Sequence, residues 1–303
     1  MIHSDGIEAE APQVTSFERV AAAEQLDSPR EAPARGPGFR RLLPFVVPVV
    51  VLVLWQIVCE NKLIANGLFP PPTVAVGALV DWIFGPGASH GLAAPSPYDG
   101  TWIVHVSSST ARILAGFAIG SGIGITFGLL AGVSTTMRQL VDPTINAIRP
   151  ISVTAWIPLT LIFFGIGTKP AVFLTALATF FPVYINTLNG AQFAEGKLVR
   201  AALMLGASRR QILLRVTLPA ALPNIAVGLR VAAAIAWTTV VVAEILGAKS
   251  GLGFILMDSY NQFRFDYIVA AMISLGACGF ATDRLLQFAF SYPLRWVEHA
   301  AKS

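Results

Sequence analysis

Charge is scarce in this chain. Asp, Glu, Lys and Arg make up only 13% of its 303 residues, about half the share that a soluble domain carries. Hydrophobic residues supply 54% and the mean hydropathy is +0.66, which points to a protein built for lipid. Cysteine is nearly absent. Cys59 and Cys278 stand alone in apolar surroundings; they give neither a disulfide framework nor a metal spacing and read as small buried hydrophobes. The four histidines, His3, His90, His105 and His299, are scattered, with no H-E-x-x-H and no paired metal spacing. No G-x-x-x-x-G-K-[ST] occurs, and GAKS at Gly247–Ser250 lacks the glycine frame that cradles phosphates. The sequence thus predicts a chain that is not an enzyme, with no catalytic residues, metal or cofactor of its own. The net charge of +4 is not a nucleic-acid footprint, because the cations sit beside apolar runs instead of forming a stripe with interleaved aromatics.

What is present is a series of apolar runs. Residues 1–39 hold Ala, Pro, Glu and Ser with little periodicity and read as a disordered cytosolic tail. It is not a signal peptide, since the apolar run begins only at Leu42 and lacks a small-residue cleavage site. Arg40 and Arg41 precede LLPFVVPVVVLVLWQIV, so 40–59 is expected to be an N-terminal transmembrane helix that starts inside. Residues 60–103 read as an extracytoplasmic segment. Within it, the prolines of LFPPPTVAVGALVDWIF start an amphipathic helix expected to lie on the outer membrane surface.

The remaining spans are expected at about 104–133, 141–164, 171–188, 218–246 and 267–290, within a core of 104–296 followed by a cytosolic tail, 297–303. Arg138 marks a short inside turn, and GIGTKP and GAKSGLGFILMDSYNQFRFD lie outside. The first of these spans has glycines at four-residue steps (Gly116, Gly120, Gly124, Gly128, Gly132), a face for close helix packing or for a narrow pore. The next crosses Pro143, Pro150 and Pro158, which free backbone carbonyls that protein or a cavity must satisfy. Inside segments hold eight cations (Arg138, Lys197, Arg200, Arg209, Arg210, Arg215, Arg295, Lys302) against four outside (Lys62, Lys169, Lys249, Arg264). Six spans with both termini cytoplasmic satisfy that bias. Arg112 and Arg284 fall near span ends, where they can snorkel.

The most informative stretch is LVRAALMLGASRRQILLRVTLPAALP, Leu198–Pro223, within a cytosolic loop at 195–217. Val199, Leu203, Leu205, Ile212, Leu213 and Val216 recur at helical intervals, and Gly206 interrupts them. The expected shape is two short amphipathic helices broken at Gly206–Ser208. An ordinary amphipathic helix on anionic headgroups is one reading, favoured by about 1 kcal/mol per cation. Against it, Ala201, Ala202, Gly206 and Ala207 are small where a lipid-binding helix carries bulky anchors, which fits a surface approached closely by another protein.

This pattern resembles the EAA loop of ABC-transporter permeases: an alanine pair (Ala201, Ala202), a glycine four residues later (Gly206), then Thr217-Leu218-Pro219. Further phrases resemble the permeases of nitrate, sulfonate and taurine importers: ARILAGFAIGSGIGITFGLLAG, DPTINAIRPISVTAWIPL, FFGIG, FFPVYINTLNG, GLRVAAAIAWTTVVVAEILGAKSGLG and the terminal RW. The loop's usual glutamate falls on Arg200. The resemblance implies an all-α membrane protein with a five-helix type I importer core plus one N-terminal helix, and cytosolic coupling helices. It implies that Arg200, Ala201, Ala202, Leu205, Gly206, Ala207, Ser208, Arg209, Leu218 and Pro219 couple to an ATPase. It further implies a second permease copy, two cytosolic ATPase subunits that bind ATP and Mg, an extracytoplasmic solute-binding protein, and a small anion as solute: nitrate, a sulfonate, taurine, bicarbonate or an aromatic acid.

The solute pathway is harder to read. Thr154, Trp156, Trp237, Thr238 and Thr239 place hydroxyls and indole N–H groups at membrane depth, where they either meet a polar solute or bond between helices. Glu244 either closes an external gate or caps a helix. Arg149 and Arg230 either neutralise a solute, pair with Asp142, Glu244 or Asp283, or reach the cytosolic headgroups. A secondary transporter would need internal repeats and midplane ionisable residues, and no repeat is visible. A membrane scaffold would need neither prolines nor hydroxyls at depth.

Overall fold

The computed structural model describes residues 37–62, 69–193 and 196–292. The expected tails 1–39 and 297–303 therefore lie outside the described residues, apart from 37–39. Among the described residues all regular secondary structure is helical, without strands. Its first unit ends at Leu54 and consists, where described, of most of α1 (Pro37–Glu60), whose side chains from Val46 to Leu54 are exposed.

The second unit begins at Trp55. It contains α2 (Pro72–Phe84), α3 (Trp102–Val133), α4 (Thr135–Ile148), a 3-10 turn (Val153–Trp156), α5 (Ile157–Phe164) and α6 (Thr168–Phe193). After these come α7 (Gly196–Met204), α8 (Arg209–Ile212), a π-type turn (Leu213–Thr217), α9 (Leu218–Gly247), α10 (Leu252–Asn261) and α11 (Phe265–Ser291). Among the described residues four helices are long and apolar enough to cross a bilayer: Trp102–Val133, Thr168–Gln192, Arg209–Gly247 and Phe265–Ser291.

The glycine face of α3 packs on α6. A Cβ at Gly116 would lie 2.6 Å from Thr175 Cβ, one at Gly128 would lie 2.7 Å from Thr187 Cβ, and one at Gly120 would overlap Thr179 Oγ1 and the Ala176 carbonyl. The expected close-packing face is therefore what α3 uses here, and its outward Gly122 meets nothing. On its other side α6 meets α9, again through small residues: a Cβ at Gly190 or Gly228 would lie 2.8 Å from Asn224 or Asn186. Such contacts matter because lipid tails supply no hydrophobic force between helices, and van der Waals contact at close range takes its place.

Several expectations change. The span at 141–164 is two helices, α4 and Val153–Phe164, bent by 85° at Arg149–Ser152. Pro150 has no N–H to continue α4 and disfavours further helix, while Pro158 sits in the first turn of α5, where its missing donor costs nothing. The break between α3 and α4 falls at Ser134, whose hydroxyl accepts from Met137 N. Arg138 is thus inside α4 and pairs with Asp142. Nor does α2 lie on lipid alone. Its Trp82, Ala75 and Ala78 are fully buried, and the Trp82 ring lies 6.3 Å from that of Tyr267 of α11, tilted by 60°.

The segment around α2 is tied down by polar contacts. Asp81 accepts from the Ser89 backbone and hydroxyl at 2.6 Å, and Arg264 donates to the carbonyls of Ala94 and Pro95. Tyr98 donates to Asp258 at 2.6 Å. Burial and that carboxylate together push its hydroxyl pKa well above the usual phenol value.

The α3–α6 contact generates a paired prediction. Gly120→Leu forces the two backbones apart and lowers the thermal midpoint in detergent by about 5 °C or more, whereas Gly122→Leu leaves it within about 1 °C. Equal midpoints for the two variants would disprove the packing role of this face.

Candidate functional site

The elbow between α6 and α9 is built by two interlocking caps. Helix α7 ends in a Schellman arrangement: Ala207 N–H donates to the Ala202 carbonyl and Gly206 N–H to that of Leu203. This requires a left-handed residue just past the helix end, and Gly206 has φ +78°. Ser208 then caps α8 in a capping box. Its hydroxyl accepts from Gln211 N, and Gln211 Oε1 accepts from Ser208 N at 2.8 Å. The break expected at Gly206–Ser208 is present. The second helix does not stop, however: Arg209–Gly247 is one continuous 39-residue helix, passing through the π-type turn and the Leu218-Pro219 step. Thr217 is buried where the elbow joins α9.

The tip of the elbow is apolar and uncovered, with Met204 and Leu205 each 88% exposed. Around it Arg200, Ala201, Ser208, Arg209 and Arg210 are exposed, and Ala202 and Ala207 are half-buried. An open notch of about 390 Å³ lies under this tip, between α7 and α8.

Where α5, α6 and α9 meet there is an open cavity of about 240 Å³, lined by Val153, Thr154, Ile157, Leu174, Thr238, Thr239, Val242 and Ala243. The structure therefore brings Thr154 and Thr238 together, with Thr239 beside them. It does not bring Trp156, Trp237 or Glu244 to that lining. Trp156 and Trp237 pack in the main apolar core, and the Trp237 indole donates to Thr282 Oγ1 at 3.1 Å. Arg230 pairs with Asp283 through two hydrogen bonds of 2.8 and 3.0 Å.

Glu244 belongs to a buried cluster instead, 1% exposed. Arg112 Nη1 donates to it at 2.6 Å, Ser109 Oγ lies 2.8 Å from both carboxylate oxygens, and Gly253 N–H donates at 2.9 Å. Arg112 also reaches the Ser250 carbonyl and hydroxyl, and Leu252 N–H donates to Ser109. Thus Arg112 turns inward to Glu244 instead of snorkelling, and Glu244 is not among the residues that line the cavity. It anchors the turn between α9 and α10 to α3. One sequence signal pointed there: Glu244 is the only acid between Glu195 and Asp258, and a lone buried carboxylate needs a cation. Among the described residues no group of three His, Cys, Asp or Glu side chains could hold a metal.

Comparisons agree with this architecture. The sequence profile of the binding-protein-dependent transport system inner membrane component matches residues 124–289. A protein of Methanocaldococcus jannaschii described as an ABC transporter permease is 36% identical over 248 residues, covering 82% of this chain and 89% of its own length. A Bacillus subtilis protein described as an aliphatic sulfonates transport permease is 31% identical over 269 residues, 88% of this chain and 92% of its own. The taurine transport system permease of Escherichia coli is 34% identical over 235 residues, 77% and 82% respectively. Among solved structures, an inward-facing conformation of the MetNI methionine ABC transporter aligns with a TM-score of 0.54 at 23% identity, over 67% of this chain and 99% of that chain, which is a likeness of fold.

The buried pair yields a test of its own. Arg112→Met leaves the Glu244 carboxylate buried without its cation, a loss of about 3–5 kcal/mol by analogy with other broken buried pairs. The turn that Arg112 holds is released with it, so trypsin cleavage after the exposed Lys249 accelerates. Cleavage at the wild-type rate in a folded variant would show that the pair does not anchor the turn.

Proposed function

The chain belongs to the binding-protein-dependent inner membrane components of ABC transport systems, and from that premise we propose how it works. Two copies form the pathway, each seated by its elbow on one cytosolic ATPase subunit, while a solute-binding protein delivers solute at the outer face. ATP and Mg bind in the partner, and this chain contributes no covalent chemistry. Helix α1 supplies a sixth span beside the four long helices and the bent α4–α5 pair, and both termini are cytoplasmic.

The elbow carries this reading. An apolar tip of Met204 and Leu205, 88% exposed, on a loop set rigidly by two caps, is costly in water at about 25 cal/mol per Å² and supports a protein partner that covers it. Arg200, Ala201, Ala202, Leu205, Gly206, Ala207, Ser208 and Arg209 form the contact, and Leu218 and Pro219 carry it into α9. The open cavity supports a second copy. Thr154 and Thr238 are exposed there, and hydroxyls at that depth are better placed against protein or water than against lipid. Its lining has no carboxylate, which suits a small anion held by exchangeable hydrogen bonds. The relatives named for aliphatic sulfonates and taurine favour a sulfonate, with nitrate-like anions as the nearest chemical alternative.

Reconstitution of the permease with its ATPase and binding protein in liposomes tests the proposal. Leu205→Asp leaves the fold intact, because the side chain is exposed, and lowers solute-stimulated ATP hydrolysis and taurine or methanesulfonate uptake at least about tenfold, the scale of a hot-spot loss. Undiminished uptake by wild type without any ATPase present would overturn the reading in favour of a secondary mechanism.

A further inference from the structure

The elbow's charge has one sign. From Gly196 to Ala243 the sequence contains no Asp or Glu, while Lys197, Arg200, Arg209, Arg210 and Arg215 all fall between 196 and 217. Arg209, Arg210 and Arg215 are exposed, and among the described residues no hydrogen bond or ion pair engages their guanidinium groups. The notch under the tip has a floor of small residues, Ala202, Gly206 and Ala207, and two polar groups in its wall, Gln211 and Arg215. The capping box already uses the Gln211 carboxamide oxygen, so what this side chain has left to offer is its NH₂ group. Both polar groups of the wall are therefore donors. An acceptor-only group carrying negative charge is their natural complement.

Resting on the reading of the elbow as the ATPase contact, we propose that the notch receives a carboxylate side chain of the partner ATPase. The Arg215 guanidinium and the Gln211 amide hold it, and Arg209 and Arg210 face an acidic rim. Complementary potential of this kind sets partner choice and encounter rate. A phosphate headgroup offers similar acceptors. The small-residue floor and the adjoining uncovered Met204 and Leu205 favour a protein, because a lipid surface would meet bulky anchors more readily than a notch of this depth.

Two substitutions keep the fold. Gln211→Glu preserves the capping box, in which glutamate serves as well as glutamine, and replaces the donor by a second carboxylate. Arg215→Glu changes an exposed side chain. The test places the full-length permease in phosphatidylcholine nanodiscs and titrates its ATPase subunit at 50 and 300 mM NaCl. Wild-type binding is expected to weaken about tenfold over that salt range, Gln211→Glu to weaken binding about tenfold at low salt, and Arg215→Glu about thirtyfold or more, while Arg215→Lys loses less because it cannot make a bidentate contact. If both charge variants bind the ATPase like wild type, with no salt dependence, the carboxylate proposal is overturned while the docking reading stands. Effects confined to nanodiscs containing phosphatidylglycerol would assign the cations to lipid and also overturn it. Failure of wild type to bind the ATPase in any condition would remove the docking reading itself, and the proposal with it.

Discussion

Backbone contact between α3 and α6 is the constraint on which the remaining arrangement depends. In lipid the apolar faces of these helices gain nothing by leaving solvent, so the helices stay together through dispersion at short range and through satisfied polar groups. Glycines at four-residue steps on α3 bring Thr175, Thr179 and Thr187 of α6 against its backbone. With α6 held there, Gly190 and Gly228 allow α9 to close on its far side, and α9 in turn delivers Glu244 to Ser109 and Arg112 on α3. Three helices are thereby linked pairwise, two pairs by small residues and one by charge.

The charged link works only because the turn between α9 and α10 folds into it. A carboxylate at 1% exposure needs several donors, and Arg112 alone supplies one hydrogen bond. Ser109 and the Gly253 N–H complete the set. That geometry excludes side chains nearby: a Cβ at Gly251 would overlap the Glu244 carboxylate, and one at Gly253 would lie 2.8 Å from Glu244 Cβ. Gly251 also holds φ +124°, a conformation open mainly to glycine. The GAKSGLG stretch, which the sequence places in an external segment, thus wraps a buried charge.

Much of this was legible in the sequence where a local rule applied. Hydropathy located the long helices, the four-residue glycine step located the close face of α3, and Gly206 located the break in the elbow. What stayed hidden depends on where chains meet. Arg112 lies ten residues beyond the start of α3, where the sequence also allows snorkelling, and only the arrival of Glu244, 132 residues later, decides between water and burial. Trp237 looked available to a solute because its indole sits at membrane depth, but Thr282 on α11 takes its N–H. The 85° bend was half legible: three prolines announced a disrupted span, and its angle comes from the packing of the two pieces. Thr154 and Thr238 were named for a shared role from chemistry alone, and the bend is what brings them to one cavity.

The continuity of α9 with α8 gives the elbow mechanical reach. At about 1.5 Å per residue, the 39 residues of Arg209–Gly247 span about 58 Å, longer than the roughly 30 Å of a hydrocarbon core, so one element carries the elbow notch at one end and Glu244 near the other. A helix transmits a tilt wherever its hydrogen-bond ladder is intact and yields where it is not. The ladder is altered in one place close to the elbow, where the π-type turn at Leu213–Thr217 is followed directly by Pro219 and Pro223; π-bulges and prolines are the usual sites of helix kinks. Thr217 and Ala221 are buried there, however, and Gly190 of α6 packs against Ala221 and Asn224. That packing braces the irregular turn from the side. Through that packing the elbow end of α9 is tied laterally to α6, and the glycine contacts tie α6 in turn to α3.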